Sequence, residues 1–194
     1  MDMYQRYSRN LPALSRQEQE LLHKKRVLVA GCGGLGGYIT ENLLRLGIGH
    51  ITAVDGDSFD VSNLNRQLLA TEATIGKSKA EAAKERAALV NPSVEFMAIG
   101  KYITPENAAD TIAGHNIVID ALDSASARLL LEDACAQADI PLITAQYAAG
   151  AVSMAFPCPA AACCTGYTQA PFQRITAFCR LFRHSAQRCN VPRR

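Results

Sequence analysis

"RVLVAGCGGLGGYITENLLRLGIGHITAVDGDSFDVSNLNRQ", residues 26 to 67, decides the fold. RVLVAG is a continuous apolar run, the pattern of a strand buried on both faces of a parallel sheet. It runs into Gly31, Gly33 and Gly36, a G-x-G-x-x-G spacing, with Gly34 opening the turn further. Gly31 permits the tight turn, Gly33 lets the backbone approach a phosphate, and Gly36 lets the next helix pack closely on the strand. A helix is predicted from about Leu35 to Leu46, ended by Gly47, and its first amides and dipole favour an anion. HITAVD is the next strand. It ends in Asp55, nineteen residues beyond Gly36, where a carboxylate can accept hydrogen bonds from ribose hydroxyls. Strand, turn, helix and acid in register point to an adenine nucleotide without saying which.

Outward from this stretch, strand and helix keep alternating. LSRQEQELLHKK begins with a capping box, Ser15 with Glu18 three residues on, and places Leu21 and Leu22 on one face of a short helix before the first strand. GKSKAEAAKERAALV reads as a strong helix closed by Asn91 and Pro92, and VEFMAI as a third strand. Thr104 is expected to cap a short helix with Pro105 in its first turn. NIVIDALD, SARLLLEDACAQA and PLITAQ read as strand, helix and strand, and GAVSMAF alternates loosely as a sixth strand. The predicted fold is α/β, a Rossmann-like doubly wound, mainly parallel sheet with an N-terminal helical extension.

The chain has 194 residues, 48% apolar and 20% charged, enough for one domain with a real core. A net charge of +2 argues for no particular partner, and neither a nucleic acid nor a membrane is expected. No stretch of eighteen apolar residues suggests a membrane span, and MDMYQRYSRN has no apolar core for export, so the expected location is cytoplasmic. All eighteen acidic residues lie between Asp2 and Asp139, whereas from Ile140 on there are six arginines and no lysine. Periodicity fails after Phe156 as well. Residues 1–156 therefore form the expected domain, and 157–194 an irregular tail rich in Cys and Arg. Five of the seven cysteines (Cys158, Cys163, Cys164, Cys179 and Cys189) fall in that tail without a C-x-x-C pair, so the spacing does not support zinc.

Past Asp55 the chain continues as a polar loop, DGDSFDVSNLNRQ, and then as GKSKAE at a helix start. Arg66, Lys77 and Lys79 follow the ribose acid within two dozen residues. A dinucleotide diphosphate can be held by backbone amides alone, whereas a triphosphate repays guanidinium and ammonium contacts. The loop suits ATP better than NAD. Cys32 reads as a small residue in a crowded corner, Asp120 as a strand end, and the four histidines as scattered.

RYSRN at residues 6–10, GCGGLG, VDGDSFDVSNLNRQ, IGKSKAE and DALDS occur in the order of the ThiF/MoeB/HesA family, bacterial relatives of ubiquitin-activating enzymes, which residues 4 to 156 resemble. The resemblance implies adenylation, with ATP and Mg²⁺, of the C-terminal glycine of a ubiquitin-like sulfur carrier of the ThiS or MoaD type. It also implies roles: Asp55 on the ribose; Asn63, Arg66 and Lys79 on the triphosphate; and Asp123 on Mg²⁺. Arg9 would reach the γ-phosphate of the other subunit of a homodimer, and Asp57 would be a supporting carboxylate near the metal or the base and ribose. Family members run longer, so the chain is expected to be truncated or aberrant after about residue 156. A catalytically impaired nucleotide-binding module is the alternative, and an NAD-dependent oxidoreductase the third.

Overall fold

In strand β1 (Arg26–Ala30), Val27 and Val29 join one apolar layer, and Leu28 and Ala30 the other; all four are fully buried. The same alternation recurs in β4 (Ile117–Asp120), where Ile117 and Ile119 join Val27's layer and Val118 joins Leu28's. This is why both strands are apolar at consecutive positions. The fold is seen in a computed structural model that describes residues 3–148 and 151–155, with side chains described for residues 5–145.

The sheet has six strands in the order β3-β2-β1-β4-β5-β6. β2 (His50–Val54), β3 (Glu95–Ile99), β1, β4 and β5 (Leu142–Ala148) run parallel. β6 (Ala151–Ala155) pairs antiparallel with β5, with Gln146 opposite Ser153. Helices α3 (Gly36–Leu46) and α4 (Lys79–Val90) contribute Leu43, Leu44 and Ala87 to one layer. On the other face α5 (Ala108–Ile112) and α6 (Ala125–Gln137) contribute Ile112, Leu131 and Cys135. The doubly wound α/β architecture is therefore as expected, with α1 (Met3–Arg6) and α2 (Arg16–His23) as the N-terminal extension.

Two local expectations need correction. The capping box on α2 is present, Ser15 Oγ accepting the Glu18 N–H at 3.2 Å and Glu18 Oε2 the Ser15 N–H at 2.9 Å. Leu21 and Leu22 do not share a face, however: Leu22 is buried and Leu21 exposed, and buried Gln19 takes the inward position, one turn from Leu22. Thr104 does not cap α5. Asn107 Oδ1 accepts the Thr104 N–H at 2.8 Å and closes a turn over Pro105, so the helix starts only at Ala108.

Glu41 on α3 joins that helix to α4. Its carboxylate accepts Arg45 Nη2 at 2.6 Å on its own helix and Arg86 Nε and Nη2 at 2.9 Å from α4. The Arg86 hydrogen bond, then that of Arg45, holds the carboxyl below its ordinary value of 4.5 against the opposing effect of burial. This stabilisation is complete above the pKa of the unfolded glutamate and is lost as pH falls through the lower, folded pKa. Urea midpoints measured from pH 6 down to pH 3 are therefore expected to fall less steeply for Glu41→Gln than for the parent chain. Equal slopes would show that the network carries no pH-linked stability.

Among the described residues no helix is long and apolar enough to cross a membrane. The tail, with five of the seven cysteines, lies outside the described residues.

Candidate nucleotide site

In an open sheet a ligand crevice forms at the carboxyl ends of the strands where the winding reverses. Here that point lies between β1 and β4, since β2 and β3 extend from one side of β1, and β4, β5 and β6 from the other. The turn after β1 sits in it. Gly31 has φ +94° and donates its N–H to Val54 O at 2.8 Å, and a side chain there would meet Ala121 O at 2.7 Å. A Cβ on Gly36 would overlap the Gly31 carbonyl oxygen. Both glycines are thus required by the backbone itself. Gly33 and Gly34 are different: a Cβ on Gly33 would make only ordinary contact with the Gln67 amide at 3.8 Å, and one on Gly34 would meet nothing within 4 Å. These two form the open lip of the turn.

Asp55 is fastened to this turn. Its Oδ2 accepts the Cys32 N–H at 2.7 Å and its Oδ1 the Asp57 N–H at 2.8 Å. Burial raises the Asp55 carboxyl above the ordinary aspartate range, against the pull of these two amides and of the Lys79 ammonium. Cys32 is fully buried, and burial with the charge of Asp55 pushes its thiol far up, consistent with a packing role.

Lys79 opens α4 and is only 8% exposed. Its N–H donates to Asp57 O at 2.9 Å and its Nζ to Asp57 Oδ2 at 3.0 Å. The other carboxylate oxygen, Asp57 Oδ1, accepts the hydroxyl of Tyr102. That bond first, and the lysine second, hold the Asp57 carboxyl below its usual range. Asp57 is therefore the partner of Lys79.

Asn63 is buried and organises the polar loop: its Oδ1 accepts the Asp60 N–H at 3.1 Å, closing the short 3-10 turn Val61–Asn63. Arg66 is exposed, and its Nη1 donates to Ser62 O at 2.9 Å and Asn65 Oδ1 at 3.0 Å in the same loop. The structure thus brings Gly31, Gly33, Gly34, Gly36, Asp55, Asp57 and Lys79 together, with Asn63 framing the adjoining loop and Arg66 on its rim.

Across the crevice, Asp123 is exposed between β4 and α6. Its loop is braced from below. Buried Asp120 accepts the Leu122 N–H at 2.9 Å, and Arg128 Nε donates to Leu122 O at 2.6 Å while Nη2 reaches Ala145 O at 3.1 Å. No group of three or more His, Cys, Asp or Glu able to hold a metal occurs among the described residues. A lone exposed carboxylate does fit a hard cation whose remaining ligands are phosphate oxygens and water.

Arg9 stands apart. Its neighbours are tied to the far end of α3: the Tyr7 hydroxyl accepts Asn91 Nδ2 at 2.7 Å, the Tyr7 ring packs on Gly47, and Asn10 Nδ2 donates to Leu46 O at 3.3 Å. The 11 residues of α3 separate that end from the glycine turn by about 16 Å, at 1.5 Å per residue. Exposed Arg9 does not serve this chain's own turn.

Tyr102, Gln67 and Arg128 escaped the sequence reading. Tyr102 belongs to no motif, Arg128 is one position of the helix SARLLLEDACAQA with nothing local to mark it, and only the position of Gln67 at the end of the polar loop offered a signal.

The sheet order and the glycine turn with its clamped acid define a Rossmann-like domain of the nucleotide-binding class. Residues 7–188 match the ThiF family, a span running past the loss of periodicity after Phe156, and the chain belongs to that family. It is 38% identical over 141 residues to the molybdopterin-synthase adenylyltransferase of Salmonella typhimurium, covering 72% of this chain and 57% of that protein. It is also 38% identical over 148 residues to the tRNA threonylcarbamoyladenosine dehydratase of Bacillus subtilis, covering 76% and 58%. The solved E. coli tRNA N6-threonylcarbamoyladenosine dehydratase, TcdA, in complex with ATP superposes with a TM-score of 0.71 at 34% identity, over 73% of this chain and 58% of that one. The chain thus spans under three-fifths of the length of these relatives.

Proposed function

We propose that the chain is an ATP-dependent adenylyltransferase that activates the C-terminal glycine of a ubiquitin-like sulfur-carrier protein of the ThiS or MoaD type. The observation that carries this reading is the clamp of Asp55 onto the amide of Cys32, beside the buried ammonium of Lys79. It joins a sugar acceptor, a phosphate turn and a fixed cation in one unit. The Salmonella relative, an adenylyltransferase of molybdopterin synthase, supports the acceptor.

In this reading the amides around Gly33 and Gly34 receive phosphate oxygens and Asp55 receives the ribose hydroxyls. Asn63, Arg66 and Lys79 hold the triphosphate. The carrier's carboxylate attacks the α-phosphorus, forming the acyl-adenylate as pyrophosphate leaves, so no side-chain nucleophile is needed. Catalysis consists of positioning and of neutralising charge on the leaving group. Asp123 would hold Mg²⁺, which supplies further neutralisation of phosphoryl charge when bound. Arg9, too far from its own turn, would act on the site of a second copy in a homodimer.

A second reading keeps the ATP site and exchanges the acceptor for a threonylcarbamoyladenosine-containing tRNA. The observation favouring it is that the Bacillus subtilis dehydratase matches 76% of the chain at 38% identity, against 72% at 38% for the Salmonella adenylyltransferase, and that the E. coli dehydratase is seen with ATP. A nucleotide-binding module without turnover is the third. ATP–pyrophosphate exchange separates them. Exchange stimulated by a purified ThiS- or MoaD-type carrier is the expected result; AMP release driven by the modified tRNA supports the second reading, and ATP binding without either reaction the third. Uptake of NAD with no binding of ATP would reject all three.

A further inference from the structure

The carboxylate of Asp57 is divided between two donors. Lys79 Nζ lies on Oδ2 at 3.0 Å, and the Tyr102 hydroxyl lies on Oδ1. The two donors sit differently. The Lys79 side chain is 10% exposed and enclosed at the start of α4, facing Asp57 with Asp55 and Cys32 close by. Tyr102 is 64% exposed and comes from the segment after β3, its ring resting on Gly56, where an added Cβ would meet Tyr102 Cγ at 2.6 Å. Ring and hydroxyl together hold the turn of Asp55, Gly56 and Asp57 from outside.

An ammonium that is to serve a phosphate must be released, wholly or in part, by the carboxylate that holds it. Releasing it leaves that carboxylate short of a partner, and the cost rises with desolvation. A second donor already in place on the other oxygen lowers that cost. We propose that Tyr102 is a positioning residue for the phosphate-binding lysine: its hydroxyl keeps Asp57 satisfied and aligned, so that Lys79 can turn from Asp57 to an incoming phosphate. This rests on the ATP-binding reading given above. Tyr102 acts here through Asp57, not through contact with the nucleotide.

The experiment is a double-mutant cycle on ATP affinity, measured by calorimetry with Mg²⁺ present, on the full chain and on Tyr102→Phe, Asp57→Asn and the double variant. Inorganic tripolyphosphate and adenosine serve as separate probes. Because Tyr102 is exposed and the ring is retained, Tyr102→Phe is expected to melt as the parent does. It should weaken ATP and tripolyphosphate about three- to tenfold, the scale of one charge-assisted hydrogen bond in a half-exposed setting, and leave adenosine unchanged. In the Asp57→Asn background the same change should have no further effect.

Three results would overturn the inference: unchanged ATP affinity in Tyr102→Phe, an equal loss for adenosine and ATP, which would make Tyr102 a wall of the base pocket, or a loss that persists in the Asp57→Asn background. Failure of the parent chain to bind ATP at all is a separate outcome, and it would remove the functional reading itself.

Discussion

Lys79→Ala is expected to slow ATP–pyrophosphate exchange by ~10²-fold or more, the scale on which loss of one preorganised charge-stabilising donor is felt. The residue is placed for this by backbone and side chain together. Its N–H is bound to Asp57 O at 2.9 Å, its ammonium to the same residue's carboxylate at 3.0 Å, and it is only 8% exposed. A cation held in that way needs little reorganisation when charge develops on a departing pyrophosphate. The same change should hardly alter the melting temperature, since Asp57 is half-exposed and keeps the Tyr102 hydroxyl. Arg66→Ala is expected to cost a comparable factor, although its guanidinium now bonds within its own loop and must swing inward to act. Exchange at the parent rate in both variants would reject the assignment of these cations to the triphosphate.

Gly36→Ala should be the most damaging small substitution for stability, at ~3 kcal/mol or more in urea unfolding, the upper range for forced overpacking. The new methyl group would overlap the Gly31 carbonyl oxygen, and that oxygen cannot retreat. Gly31 is in the left-handed region at φ +94°, bonded to Val54 O at 2.8 Å and closed in by the backbone of Ala121. Helix α3 would have to lift away from β1, taking the anion-binding amides with it. Gly34→Ala is the control, because the space around it is open, and it should stay within about 0.5 kcal/mol of the parent. A Gly36→Ala chain as stable as that control would mean that turn and helix pack less rigidly than the geometry requires.

The sheet could be read from the sequence because its inner strands are buried on both faces and so become uninterrupted apolar runs at β1 and β4. The glycine turn and Asp55 could be read because nucleotide sites of this kind depend on backbone approach, which only glycine spacing records. The antiparallel course of β6 is a matter of chain length: two residues separate it from β5, too few for a parallel crossover. What escaped were residues whose importance comes from distant packing. Tyr102 meets Asp57 across 45 positions of sequence and Arg128 meets Ala145 across 17, so no local spacing marks either. The reverse held for Thr104, where a convincing local signal for a helix start is followed only by a turn, closed by Asn107 Oδ1 on the Thr104 N–H, and the helix begins after Asn107.

Glu41, gripped by one arginine from its own helix and one from the next, yokes α3 to α4 part-way along their lengths. The bodies that begin at the glycine turn and at Lys79 are therefore hitched into a single stiff unit.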